Sequence, residues 1–315
     1  MNKKLVALAV AAAFAAPVAM AEITLYGKVH ADIRLSDDGD NDKWTVNSNT
    51  SKLGFKGQTE LGNGMKAMFK YETSYTGLDG DATLGKPRNT YIGLAGKKGT
   101  LIVGRHDTPA KMAFYAAGND HLGDSVVDFN RTGFTEKRLK NSILYVSPGM
   151  SGFKVAAAAM PGEGGNGEND ALVDSYSVGL MYKGKGMKVG AGFENLATGG
   201  SMDDTKMTQV GASYTFKNMT VGAQFENVKN YNNDVDQTKK VMGLSAKAVF
   251  GKNSLIANYG EKDEENGNAT VESKNIGLAV KHTLSKRTNF YIAFNKQETG
   301  NDENDHIALG MMHSF

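Results

Sequence analysis

The sequence of 315 residues predicts an all-β fold, a 16-stranded antiparallel transmembrane β-barrel with one long ordered insertion. Three observations carry the prediction. Apolar and polar residues alternate in run after run, the turns between runs are tight at one end and long at the other, and the segment from Gly104 to about Lys137 breaks the pattern altogether.

Residues 1–21 stand apart from the fold. Lys3 and Lys4 precede an apolar run from Leu5 to Val18, and Ala19-Met20-Ala21 offers small residues around a cleavage point, the layout of a secretory signal peptide. The barrel domain is then 22–315. The first strand follows at once, with Ile23, Leu25, Gly27, Val29, Ala31 and Ile33 on one face and Thr24, Tyr26, Lys28, His30, Asp32 and Arg34 on the other. Leu53, Phe55 and Leu61 next oppose Lys52, Lys56, Gln58 and Glu60. The alternation recurs through Val210, Ala212, Tyr214 and Phe216 to Ile307, Leu309, Met311, His313 and Phe315. About 16 runs share the chain, roughly 18 residues each, which accommodates a strand of about 10 residues and a turn.

Gly62-Asn63-Gly64, Gly184-Lys185-Gly186 and Gly251-Lys252-Asn253 are tight turns, whereas Asp37 to Val46, Pro161 to Asp170, Asn230 to Gln237, Lys262 to Ala269 and Thr299 to Asp305 read as longer acidic loops. Short turns at one end and long loops at the other mark transmembrane barrels. A soluble β-sandwich would also alternate. Against it stand the Lys, Glu, Gln and Ser at mid-strand on the polar face, and the aromatic residues that end the apolar face, among them Tyr71, Tyr182, Tyr214, Phe216, Phe250 and Phe315. The insertion is rich in Met112, Phe114, Tyr115, Leu122, Val126, Val127, Phe129 and Phe134. A segment that apolar can bury surface, so it is expected to be ordered and packed inside the fold.

Composition excludes several functions. The chain has 36 Lys and Arg; without Lys3 and Lys4 the mature part has 34 against 34 Asp and Glu, which gives no support to nucleic-acid binding. With no cysteine, disulfides, thiolate metal sites and cysteine nucleophiles are ruled out. No cofactor is expected. The six histidines lack metal-ligand spacing, the GEGGNG stretch at Gly162–Gly167 has no βαβ context, and the aspartates at 37, 38, 40 and 42 lack the glutamate that completes a calcium loop. No G-x-S-x-G motif suggests a hydrolase.

The stretches EITLYGKVHADI, SKLGFKGQTELGNGMKAMFKYE, RNTYIGLAGKKGTLIVGRHDTP, RLKNSILYVSP, LSKRTNFYIAFNKQ and the terminal GMMHSF together resemble the general porins of the Gram-negative outer membrane, over essentially the whole mature chain. The resemblance implies a 16-stranded barrel, usually a homotrimer, set among outer-membrane lipid and lipopolysaccharide. Its long third loop folds into the lumen and narrows it, and ions and small hydrophilic solutes pass by diffusion. In that family the loop presents carboxylates to basic residues on the wall. Here this implies Asp120, Asp124 and Asp128, with Asp107 nearer the root, opposed by Lys52 in SKLGFKG (commonly Arg in the family), Arg105 in GRHDTP, and Arg138 and Lys140, which share lumen parity with Ser142; Arg131 is the alternative to Arg138. Counting from Leu101 and Val103 puts Arg105 on the lipid face, so a lumenal role requires the chain to turn at Gly104, which glycine permits. Met312 stands where relatives often carry a basic residue.

Opposed charges across a narrow, low-dielectric neck set up a transverse field that favours small polar solutes. Five basic candidates against three acidic ones suggest a weak anion preference. A substrate-selective anion porin, and a non-conducting adhesin or structural barrel whose loop seals the lumen, are the competing expectations.

Overall fold

A computed structural model describes residues 22–75, 77–80, 84–162, 171–198, 203–231, 236–267 and 269–315; the expected signal peptide and most of the GEGGNG stretch lie outside them. In chain order the elements are β1 (Glu22–Asp37), β2 (Asp42–Ser48), β3 (Lys52–Gly62), β4 (Met65–Tyr75), β5 (Leu84–Pro87), β6 (Thr90–Gly96) and β7 (Gly99–Asp107), then helix α1 (Pro109–Ala117) and a 3-10 turn (Phe129–Thr132). There follow β8 (Arg138–Val146), β9 (Phe153–Met160), β10 (Ser175–Gly184), β11 (Met187–Leu196), β12 (Thr205–Phe216), β13 (Met219–Lys229), β14 (Gln237–Phe250), β15 (Asn253–Asn266), β16 (Ala269–Thr283), β17 (Thr288–Thr299) and β18 (Asp302–Ser314).

Each strand pairs antiparallel with its neighbours, and β1 pairs with β18, so the ladder closes on itself. The eighteen segments make 16 wall strands. β2 and β3 both pair with β1, along Ala31–Asp37 and Glu22–Lys28, and are one interrupted strand. β5 and β6 likewise share β4 as partner. The outer face is the apolar one: Ile92, Leu101, Val221, Leu255, Leu278 and Ile292 are all exposed, as are the aromatic Tyr214, Phe216 and Phe250 toward the strand ends.

Two expected loops are shorter than the sequence suggests. Strand pairing continues through Glu265 and Thr270 to Asn266↔Ala269, and through Glu298↔Glu303 to Thr299↔Asp302. These polar segments are paired ladders extending past the apolar band. Lys240 and Glu265, 2.7 Å apart, brace one of them. Asp42–Val46 is likewise strand rather than loop.

Buried apolar side chains lie on the inner side of the wall, where the insertion packs. Leu122, Val126 and Val127 cluster with Ile256, Ala279, Tyr291, Ala293 and Ala308. Phe114, Phe129 and Phe134 cluster with Val241, and the Phe129 and Phe134 rings stack at 5.2 Å. The helix was not foreseen, yet its signals are in the sequence: Thr108 caps it by accepting from Lys111 N, Pro109 fills the first turn, and Gly118 ends it at φ 75°. Its buried residues Ala110, Ala113, Phe114 and Ala117 follow helical spacing, with small side chains that let the backbone approach the wall.

The wall is shaped to receive them. Inward-facing glycines form a band across β10 to β16, with direct cross-strand pairs Gly179↔Gly192, Gly190↔Gly211 and Gly243↔Gly260. A Cβ at Gly192 would lie 2.7 Å from Ala110 Cα, and one at Gly190 would collide with the carbonyl of Ala113. Polar wall residues then satisfy the insertion's backbone: Gln209 Nε2 donates to Ala110 O at 2.5 Å, Ser213 Oγ to Ala117 O at 2.6 Å, and Asn258 Nδ2 to Val127 O at 2.6 Å. Gly190→Leu should dislodge α1 at a cost of about 1–3 kcal/mol to docking. The expected result is protease cleavage within residues 108–137 of the detergent-folded protein while the barrel stays heat-modifiable on gels; unchanged resistance would show that the glycine is not needed as a seat.

Candidate functional site

The insertion follows the inner wall from β10 round to the β17–β18 region and leaves the wall from β3 to β6 open to the lumen. There Glu72 of β4, 2 % exposed, gathers four partners. Tyr26 Oη donates to it at 2.9 Å and Arg88 Nε at 2.8 Å, while the ammonium groups of Lys70 and Lys52 lie 3.2 and 3.7 Å away. One carboxylate among three cations leaves the patch net positive. Lys28 of β1 reaches across to Asp124 at 2.5 Å and ties the insertion to the wall.

The facing insertion is acidic. Asp128 caps the 3-10 turn, accepting from Asn130 N at 2.8 Å and from Asp124 N at 2.6 Å. Asp120 is packed over Gly123, with Oδ1 buried and unpartnered. Burial, then the charges of Asp128, Asp124 and Glu136, hold the Asp120 carboxyl well above its ordinary range. Burial also raises Asp128 to about 6, against the pull of its two N–H donors. Burial would push Asp124 up as well, but Lys28 outweighs it and holds this aspartate below its ordinary range. The three aspartates therefore differ: Lys28 keeps Asp124 ionised, Asp128 titrates at about 6, and burial with its acidic neighbours biases Asp120 toward holding its proton.

A further network holds the root. Arg138 pairs with Asp107 at 2.7 Å and donates to Asn89 Oδ1 at 2.8 Å, and Lys111 bridges Asp107 at 3.5 Å and Glu136 at 2.9 Å. Tyr115 Oη donates to Glu136 at 2.7 Å. The return segment is anchored by Glu226, which accepts from Thr135 N and Oγ1 and pairs with Lys239 at 3.1 Å.

The residues picked from the sequence thus separate into groups. Lys52 joins the open wall patch, and Asp120, Asp124 and Asp128 share the insertion. Arg131 stays within the insertion, its Nε donating to Ser125 O at 3.3 Å. Arg138 serves the root. A one-residue bulge, in which Ser142 faces Gly104 but Leu139 faces His106, breaks the alternation that related Arg138 and Lys140 to Ser142. Lys140 is exposed at this bulge. Gly104 adopts φ 137°, yet Arg105 pairs with Thr90 and donates from Nε to Pro87 O at 3.0 Å, without an ion pair among the described residues. Sequence reasoning missed Lys28, Lys70, Glu72 and Arg88. The first three sit at polar positions of alternating strands and were open to selection by parity; Arg88, between β5 and β6, has no periodic signal.

A carboxyl raised in the folded state contributes stability that is complete below the ordinary aspartate pKa and lost as pH rises through its folded value. The Asp128 contribution is therefore present at about pH 4 and fades through about 6. Acidification through that window should remove negative charge from the neck and move the zero-current potential toward anion preference. Asp128→Asn should abolish the step near pH 6; a step that persists in the variant would assign it elsewhere.

A sequence profile of the family described as Gram-negative porin matches residues 7–302. The major outer membrane protein P.IB of Neisseria gonorrhoeae is 34% identical over 201 residues, covering 59% of this chain and 55% of that protein, so the chain spans about half the length of such relatives in these matches. The P.IB protein of a Neisseria meningitidis serogroup A strain is 27% identical over 348 residues and is covered, as is this chain, over 100% of its length. Among solved structures, an anion-selective porin from Comamonas acidovorans superposes with a TM-score of 0.75 at 20% identity, covering 94% of this chain and 100% of that one, which supports the fold. On its closed barrel and the family match along most of its length, the chain belongs to the Gram-negative porins of the outer membrane.

Proposed function

We propose that the protein is a water-filled outer-membrane channel for passive diffusion of ions and small hydrophilic solutes. The observation that carries this reading is the unequal lining of the lumen. The insertion is seated on one side, from β10 onward, while the wall opposite presents part-exposed Lys52, Lys70 and Arg88, with 29, 20 and 20 % of their side chains accessible, around Glu72. A loop built to seal the lumen gains nothing from leaving charged side chains facing open space. On this reading Lys52 of the wall and Asp120, Asp124 and Asp128 of the loop bound the neck, and Arg131, Arg138, Arg105 and Lys140 act at its margins. Residues 1–21 are a cleaved signal peptide, 22–315 form the barrel, and the working unit is the homotrimer usual in the family, set in lipid and lipopolysaccharide.

A second reading, selectivity for anions, draws on the net-positive wall patch and on the anion-selective Comamonas acidovorans porin of like fold. Single-channel recording of the mature protein in planar bilayers separates the possibilities. The channel reading expects large steps in threes, proportional to salt, with a zero-current potential of the sign for weak anion preference. Silence from correctly folded protein would favour a structural or adhesive barrel. A potential of the opposite sign would refute the anion preference.

A further inference from the structure

The lumen carries a second charged surface, at its tight-turn end. Residues 138–162, 175–193, 205–225, 237–260 and 273–297 contain no Asp or Glu. Inward-facing positions at the tight-turn end of this wall instead carry Lys154, Lys183, Lys188, Lys247 and Lys281. None of the five is in an ion pair among the described residues. Lys183 and Lys188 are direct cross-strand partners, an arrangement of like charges that destabilises a ladder. Lys154 is opposite Met181, two positions along β10 from Lys183. These three lysines line a cavity of about 480 Å³, walled also by Tyr115 and Ala116 of α1 and within the size range of small-ligand sites.

A second observation shows the surface converging under the loop. His121 Nε2 is buried without a partner, and the histidine is held down at about 4, first by burial and then by the ammonium groups of Lys247, Lys188 and Lys281. Three strands' lysines therefore act on one point. Asp120 is the carboxylate whose charge reaches Lys281, and it is itself held toward its protonated form. Positive charge gathered without neutralisation costs stability, and a ligand that returns negative charge offsets that cost.

We propose that Lys154, Lys183 and Lys188 form a binding site for small multivalent oxyanions, those bearing two negative charges on phosphate or carboxylate groups. Lys247 and Lys281 extend it beneath the loop. Solutes leaving the neck meet it before the tight-turn mouth, so the site retains such anions while monovalent ones pass. It rests on the channel reading.

The test records chloride conductance at constant ionic strength while inorganic phosphate, or in a second arm succinate, is added to either side. Expected is a saturable reduction, stronger from the tight-turn side, with one or both anions; which anion acts identifies the preferred group. Lys183→Gln combined with Lys188→Gln should weaken the apparent affinity at least about tenfold, the loss expected when charge-assisted hydrogen bonds disappear. Lys185→Gln in the neighbouring turn should leave the saturation curve in place. An open channel whose current varies linearly with both anions, or saturates equally in the double variant, overturns the site. If the channel is silent the diffusion reading fails instead, and calorimetric titration of phosphate and succinate into detergent-folded protein decides the site: heat that saturates and is lost in the double variant supports it, and no heat with either anion overturns it.

Discussion

Gly27 and Phe315 exchange two backbone hydrogen bonds, each 3.1 Å, where the last residue of the chain meets the first strand. In a hydrocarbon surround an unpaired amide costs several kcal/mol, so a sheet with open edges cannot reside there and a closed one can. That closing rung fixes the number of strands, and the number fixes the width. A barrel of this size leaves an aqueous interior, and the interior in turn poses the problem that residues 108–137 solve.

The solution inverts the usual placement of a core. In a water-soluble protein the sheet's apolar face turns inward; here it faces lipid, and the lumen wall is polar except where residues such as Val241, Ile256, Ala279 and Ala293 receive the insertion. The insertion supplies its own apolar residues and meets a wall from which side-chain bulk has been removed at the glycine band and polar hooks added beside it. Packing therefore sets the position of the loop and charge sets its effect. The Lys28–Asp124 pair spans the two, joining loop to wall and holding one carboxylate in its ionised form while its neighbours drift toward neutrality.

The barrel is legible in the sequence because a period of two, with lipid on one side and water on the other, writes itself into each strand. Strand ends are less so: Glu261 to Asn266 is paired but lies beyond the apolar band, where nothing imposes alternation. α1 was missed because its buried side chains are mostly alanine and its neighbours are aromatic, although its caps were visible at Thr108 and Gly118. The grouping of Asp120, Asp124 and Asp128 was legible by their location in one segment. On the basic side Lys52 was legible by its motif and Lys28 was not, since the partner of Asp124 depends on which strand the loop tip reaches, and the parity of Arg138 and Lys140 is lost at the bulge whose Asn141 has φ 54°.

The glycine seat also has a consequence in time. The insertion precedes in sequence almost everything it docks on: Ala110 is bonded by Gln209, 99 residues later, and Val127 by Asn258, 131 residues later. Contacts so distant along the chain are late to form. Until β10 to β16 are laid side by side the seat does not exist, and Phe114, Phe129 and Phe134 have no surface of their own to cover them. Assembly thus has a built-in order, wall before plug, and the nascent barrel passes through a stage in which its most apolar loop is undocked while its lumen stands at full bore.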